Sequence, residues 1–229
     1  MIKIGHRGAP HEFPSNTMKS FQRAFELGCD MVECDIRVSA DGILVLAHDE
    51  AVKDVAGNTF EITICTFDAL SSLDLGAGEG VAAFQELVDW AVHRCSVMAD
   101  MKCEGGGVER KVAEILSKLP SSQKIVPGAE KTSRDVFRKH EPTLPLSFSL
   151  NFVDMNEAEF KTILDNLDTK TVTWHHSLLT EPRVKELRLR EITVYAWTVD
   201  DISVMLHLQQ LGVDGIISNR PELFESLER

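Results

Sequence analysis

Short apolar runs alternate with longer stretches of helical period from one end of the chain to the other. The first run, Ile2-Lys3-Ile4-Gly5-His6, predicts a strand over 2–6 that opens into a tight turn at Gly8-Ala9-Pro10. Residues 16–27 predict a helix with Phe21, Ala24, Phe25 and Leu27 on its inner face. Strands follow at 31–38 and, after the turn Ala40-Asp41-Gly42, at 43–48. Residues 50–80 hold no sustained period and predict a small irregular excursion, after which a helix covers 82–94. From there, strands at 96–102, 124–127, 146–150, 171–175, 192–198 and 215–218 alternate with helices at 108–119, 133–140, 156–167, 182–189 and 201–211. Pro221 starts a last helix.

About eight strand–helix units predict an α/β chain closed into a (β/α)8 TIM barrel, with a small insertion after the second strand region. The rival is a doubly wound open sheet. That fold wants Gly-x-Gly-x-x-Gly after the first strand, and Gly5-His6-Arg7-Gly8 does not supply it. The barrel reading takes residues 1–229 as one domain, with the insertion at about 50–80. It also predicts functional side chains at the C-terminal ends of several strands.

Composition narrows the partners. Hydrophobic residues make up 43% and charged residues 26%, as in a globular chain, and no apolar run reaches the length of a membrane span. Acidic residues outnumber basic ones 36 to 24, for a formal charge of -12, which argues against nucleic acid and against an anionic membrane. A small anionic substrate remains compatible with a local cationic pocket. Five cysteines, an odd number without a Cys-x-x-Cys, argue for reduced thiols rather than a disulfide framework or a zinc site. With no signal-peptide pattern ahead of the first strand, the expected location is the cytoplasm. Assembly with further copies of the chain is left open.

The strand ends carry the chemistry. An imidazole and a guanidinium, His6 and Arg7, follow the first strand, where core packing asks for neither. Glu33 and Asp35 lie two apart on a strand, on one face and about 6.6 Å apart along it, as an oxygen-rich cation site needs. Cys34 between them faces the other way. His48 ends the next predicted strand, and Asp100 and Lys102 repeat the two-apart pattern on the next. Two histidines, two cations and three carboxylates suit phosphoryl chemistry. Arginine and lysine bind phosphate oxygens, a metal neutralises a nonbridging oxygen, and two imidazoles serve as general acid and base. His175-His176 has no carboxylate at ligand spacing, and Gly105-Gly106-Gly107 reads equally as a phosphate-facing turn or a connector.

Gly5-His6-Arg7-Gly8-Ala9-Pro10, Pro14-Ser15-Asn16-Thr17, Glu33-x-Asp35, Asp41-Gly42, His48-Asp49, Asp100-x-Lys102, Trp197-Thr198-Val199 and Ser218-Asn219-Arg220-Pro221 occur in this order. Together they resemble the glycerophosphodiester phosphodiesterase family over nearly the whole chain. The resemblance implies hydrolysis of small-molecule glycerophosphodiesters to sn-glycerol 3-phosphate and an alcohol, through a cyclic phosphate formed by the glycerol 2-hydroxyl. It implies one divalent cation, Mg²⁺ or Ca²⁺ with Mn²⁺ also compatible, on Glu33, Asp35 and Asp100. It implies His6 and His48 as the acid–base pair and Arg7 and Lys102 on the phosphate. Trp197, near the end of its strand, reads equally as a wall of the glycerol pocket or as a barrel aromatic at the rim. Two alternatives stay in view: a lysophospholipase D, and a barrel that binds phosphodiesters without cleaving them.

The chain departs from the family pattern at four places. Ser15 replaces a Glu, Asp100 replaces a Glu, and Ser218-Asn219 replaces Thr-Asp with the loss of a carboxylate. The stretch after Asp49 lacks the usual Arg-Thr-Thr.

Overall fold

The structure is a computed structural model describing residues 1–150 and 154–228 of the chain. Its strands, in chain order, are β1 (Ile2–His6), β2 (Met31–Val38), β3 (Leu44–Leu46), β4 (Ala51–Lys53), β5 (Thr59–Glu61), β6 (Ser96–Met101), β7 (Lys124–Pro127), β8 (Leu146–Ser149), β9 (Thr171–His175), β10 (Thr193–Trp197) and β11 (Gly215–Ser218). Its helices are α1 (Met18–Glu26), α2 (Phe67–Ser71), α3 (Phe84–Ala91), α4 (Val108–Leu116), α5 (Lys131–His140), α6 (Glu157–Asn166), α7 (Glu181–Leu189) and α8 (Ile202–Leu211).

Strands β1, β11, β10, β9, β8, β7, β6 and β2 pair side by side in parallel, and β1 pairs with β2 to close the ring. The expected (β/α)8 barrel is therefore present. Closure joins the two ends of the chain: Ile2 stands opposite Gly215 and Gly5 opposite Ser218. β3 is the exception, adding to β2 in the antiparallel sense.

Side-chain alternation along the strands sorts the barrel into layers. Ile4, Met31, Met98, Ile125, Tyr195 and Ile217 form a small apolar cluster inside the ring. The alternate residues, among them Val32, Cys34, Ile36, Val97 and Ala99, belong to the larger core under the helices. Cys34 is fully buried there, as expected of a small hydrophobe. Two residues beyond five of these six interior positions come His6, Glu33, Asp100, Trp197 and Asn219, and beyond the sixth, Ile125, comes Pro127. Strand periodicity alone thus sends these polar groups to one end of the barrel.

Two expectations are corrected. Residues 50–80 are structured: β4 and β5 form an antiparallel hairpin, a 3-10 turn spans Ile62–Ile64, and α2 follows. Together they cover a third core of Val45, Ala47, Ile62, Leu70 and Val81. Strands of three residues are too short to show a period. Phe25 is not on the inner face of α1; it is exposed and meets Trp90 edge-on at 5.9 Å, and Leu27 is only half-buried. No helix among the described residues is long and apolar enough to cross a membrane.

Candidate active site

The end of β1 is bent into place by its glycines. Gly8 has φ of 88°, and a Cβ there would lie 2.4 Å from Ser20 atoms of α1. Between them Arg7 takes the left-handed conformation, φ 57°. It is held from two sides: its N–H donates to the Glu33 carbonyl at 2.9 Å and to Glu33 Oε2 at 3.0 Å, and its carbonyl accepts from Asn16 N–H at 3.0 Å and Ser20 Oγ at 3.0 Å. Strain of this kind persists only where the surroundings fix it.

A cavity of about 380 Å³ opens at this mouth, lined by His6, Arg7, Glu33, His48, Asp100, Lys102 and Trp197. Seven of the eight residues singled out from the sequence therefore meet in one cup. The eighth, Asp35, lies behind its wall, fully buried. Gly128 just past β7, Ser149 at the end of β8 and Thr173 in the middle of β9 complete the far side. Trp197 is fixed by Nε1–H donation to the Thr173 carbonyl at 2.9 Å, with His175 edge-on to its ring at 5.3 Å.

The charges are densely coupled. Arg7 Nε stands 2.9 Å from Asp35 Oδ2 as an ion pair without hydrogen-bond alignment. Lys102 Nζ stands 2.6 Å from Asp100 Oδ2 and 3.1 Å from Asp35 Oδ1. Burial works against Asp35 ionising, but Lys102, Arg7 and the Asn16 amide outweigh it and hold the carboxyl below its ordinary value. Burial, then Asp35 and Asp100, push Glu33 well up. Burial raises Asp100 too, despite Lys102.

Glu33, Asp35 and Asp100 each offer an oxygen, all within 4.8 Å of one another. Three carboxylates here face two fixed cations. Glu33 has no lysine or arginine at ion-pair distance among the described residues; its nearest basic side chain is His6, with Nε2 3.8 Å from Oε2. An under-compensated, all-oxygen set of this kind, two members buried and Asp100 half-buried, fits a hard divalent cation.

The two imidazoles differ. Burial, then the adjacent Arg7, lowers His6 from 6.5 to about 4, so it is neutral near pH 7. His48 sits at the rim, more exposed, with Nδ1 2.8 Å from Asp49 Oδ1. Its backbone is pinned by Arg37, whose Nε donates to the His48 carbonyl at 2.9 Å.

The sequence profile of the Glycerophosphoryl diester phosphodiesterase family matches residues 6–223. The chain belongs to this family. A glycerophosphodiester phosphodiesterase from Caldanaerobacter subterraneus subsp. tengcongensis is 25% identical over 100% of this chain and 98% of its own. A human lysophospholipase D is 24% identical over 95% of this chain and 83% of its own. Among solved structures, an Oleispira antarctica phosphodiesterase in complex with the product sn-glycerol-3-phosphate superposes with a TM-score of 0.87, at 21% identity, over 100% of this chain and 97% of that one. The family and barrel expected from the motifs are thus borne out, and the chain is an enzyme of this family.

Against the family pattern, Ser15 is exposed and lies off the cavity wall, so that departure takes nothing from it. The carboxylate missing at Asn219 is supplied by a residue the sequence reading passed over. Asp200 accepts from Asn219 N–H and Nδ2, each at 2.8 Å, and from Ser218 Oγ at 3.0 Å. Its signal was available, since Asp200 also follows the end of a predicted strand. Asn16 was noticed only as part of a motif, and its contact with Asp35 needs the fold.

Proposed function

We propose that this chain hydrolyses glycerophosphodiesters to sn-glycerol 3-phosphate and an alcohol, with His6 and His48 as the acid–base pair and a divalent cation on Glu33, Asp35 and Asp100. The observation that carries the reading is the single cavity shared by both imidazoles, both cationic side chains and two of the three carboxylates, with the third directly behind. The reading takes residues 1–229 as one barrel unit working in the cytoplasm, the odd cysteine count without a Cys-x-x-Cys being the support for a reducing compartment.

Arg7 and Lys102 hold the phosphodiester by its nonbridging oxygens. Neutral His6 accepts the proton of the glycerol 2-hydroxyl as its oxygen bonds to phosphorus. The bond from phosphorus to the alcohol oxygen breaks, and His48 on the other rim delivers a proton to that oxygen. Water then opens the cyclic phosphate with the two roles exchanged. The cation, when bound, neutralises charge on a nonbridging oxygen. Trp197 walls the substrate side.

The test is release of sn-glycerol 3-phosphate from glycerophosphocholine, with chelator and then with Mg²⁺, Ca²⁺ or Mn²⁺ restored. Turnover that depends on the ion supports the reading, and no turnover with any of the three refutes it. A second reading keeps the chemistry and changes the substrate to a lysophospholipid, favoured by the similarity to a human lysophospholipase D. Comparing kcat/KM on lysophosphatidylcholine and glycerophosphocholine decides between them.

A further inference from the structure

Asp200 and Asn219 have no role in the steps above, yet Asn219 meets the His6 ring and Asp200 holds Asn219. Asp200 follows β10 and is anchored on both sides. Val199 N–H donates to the Ile217 carbonyl of β11 at 3.0 Å, and Asp201 caps α8 by accepting from Ser203 N–H at 2.8 Å and Val204 N–H at 3.2 Å. The Asp200 carboxylate takes Asn219 N–H and the Ser218 hydroxyl on Oδ1 and the Asn219 side-chain nitrogen on Oδ2.

A carboxylate only accepts, so the Asn219 amide must turn its nitrogen to Asp200 and its oxygen to His6. That oxygen lies 2.7 Å from His6 Nδ1. Two acceptors do not bond, so Nδ1 must carry the hydrogen, and the lone pair is left on Nε2. Nε2 is the edge turned toward Glu33. Without Asp200 the amide is free to rotate by half a turn, offer its nitrogen to Nδ1 and reverse the tautomer.

We propose that Asp200, acting through Asn219, is a positioning residue that locks His6 in the Nδ1–H tautomer and aims Nε2 into the cavity as the proton acceptor. The proposal rests on the reading of His6 as the base. It also accounts for the Asn at 219: the carboxylate that would have stood against the imidazole has moved one link back along the chain of hydrogen bonds.

The experiment uses the full chain with Mg²⁺, labelled with ¹⁵N. Ring nitrogens of His6, assigned by loss of their signals in His6→Gln, are read by long-range ¹H–¹⁵N correlation. Turnover of glycerophosphocholine is measured alongside. The wild type should show a pyrrole-type Nδ1 and a pyridine-type Nε2. Asp200→Ala should give mixed tautomers and a kcat about 10- to 100-fold lower, the size of loss seen when the partner behind a metal-bound imidazole is removed. KM should stay within about twofold, because ground-state binding is untouched. Asn219→Asp alone sets two carboxylates against each other and should lose activity; adding Asp200→Asn restores one acid and one amide and should recover both kcat and the single tautomer.

A proton on Nε2 in the wild type overturns the proposal. So does an Asp200→Ala enzyme that keeps the Nδ1–H form with kcat within about twofold of wild type. If Asp200→Ala fails to fold, the exchange decides, and no recovery in the double variant counts against the relay. If the wild type cleaves no glycerophosphodiester with any ion, the functional reading fails, while the tautomer still judges the relay by itself.

Discussion

Asn16 grips Asp35 from two sides: its Nδ2 donates to Asp35 Oδ2 at 2.8 Å, and its Oδ1 accepts from Asp35 N–H at 3.1 Å. Asn16 does this from the left-handed region, φ 61°, which asparagine tolerates better than most residues. The grip fixes the one member of the acidic trio that lies behind the cavity wall. Asn16→Gly keeps the backbone and removes the grip. Its melting temperature should fall modestly, while affinity for the divalent cation drops about 10- to 100-fold, as for lost partners of metal ligands. Calorimetric titration with Mg²⁺ or Ca²⁺ measures this.

His6→Ala and His48→Ala should each lower kcat by about 10²- to 10⁴-fold, the usual range for a general acid or base. His48 is exposed at the rim, so its loss should leave thermal unfolding nearly unchanged. Glycerol 3-phosphate release and a melting curve on each variant check both halves. Near-normal turnover in either would remove that residue from the mechanism.

Glu33 sets a pH dependence of the cation-free protein. Its carboxyl is raised well above the ordinary 4.5, so the folded state binds the proton more tightly than the unfolded chain does. Stability from this group is full below 4.5 and falls as pH rises toward the raised value. Glu33→Gln should erase that fall and leave the cation-free fold at least as stable at pH 7. It should also erase the stabilisation by added ion, which in the wild type is about 2.7 kcal/mol at a hundredfold excess over Kd. Urea titrations across pH, with and without Mg²⁺, separate the two effects.

Asp168 makes the opposite prediction. Burial disfavours its charge, but hydrogen bonds from Arg138 and Arg134 outweigh this and hold the carboxyl below its ordinary value of 3.8. Arg134 is itself buried. Asp168→Asn should cost about 1–3 kcal/mol near neutral pH by leaving a buried charge short of a partner. Because the folded value is depressed, that contribution is present above 3.8 and is lost as pH falls through the folded value. The gap between the two proteins' urea midpoints should therefore close in acid.

Most of the cavity was legible because strand alternation is a strict rule. Once 2–6, 31–38 and 96–102 are strands, His6, Glu33, Asp35 and Asp100 must share the inner face, and barrel closure does the rest. What stayed hidden has two causes. The excursion at 50–80 is built from three- to five-residue elements, shorter than any period can register. The partners of the charged groups, Asn16 behind Asp35 and Asp200 behind Asn219, depend on which strands are neighbours, and local pattern does not record adjacency. Phe25 was misplaced for a similar reason: its period fits the buried stripe, yet it makes its aromatic contact with Trp90 at the surface.

The bond between His6 and Asn219 spans 213 positions of chain. A ribosome therefore makes all eight barrel strands before the first imidazole meets the amide that orients it. Until β11 arrives, β1 has a partner on one side only. A product stopped at Ser218 would carry both histidines and all three acids and still lack the residue that turns the first of them toward its work.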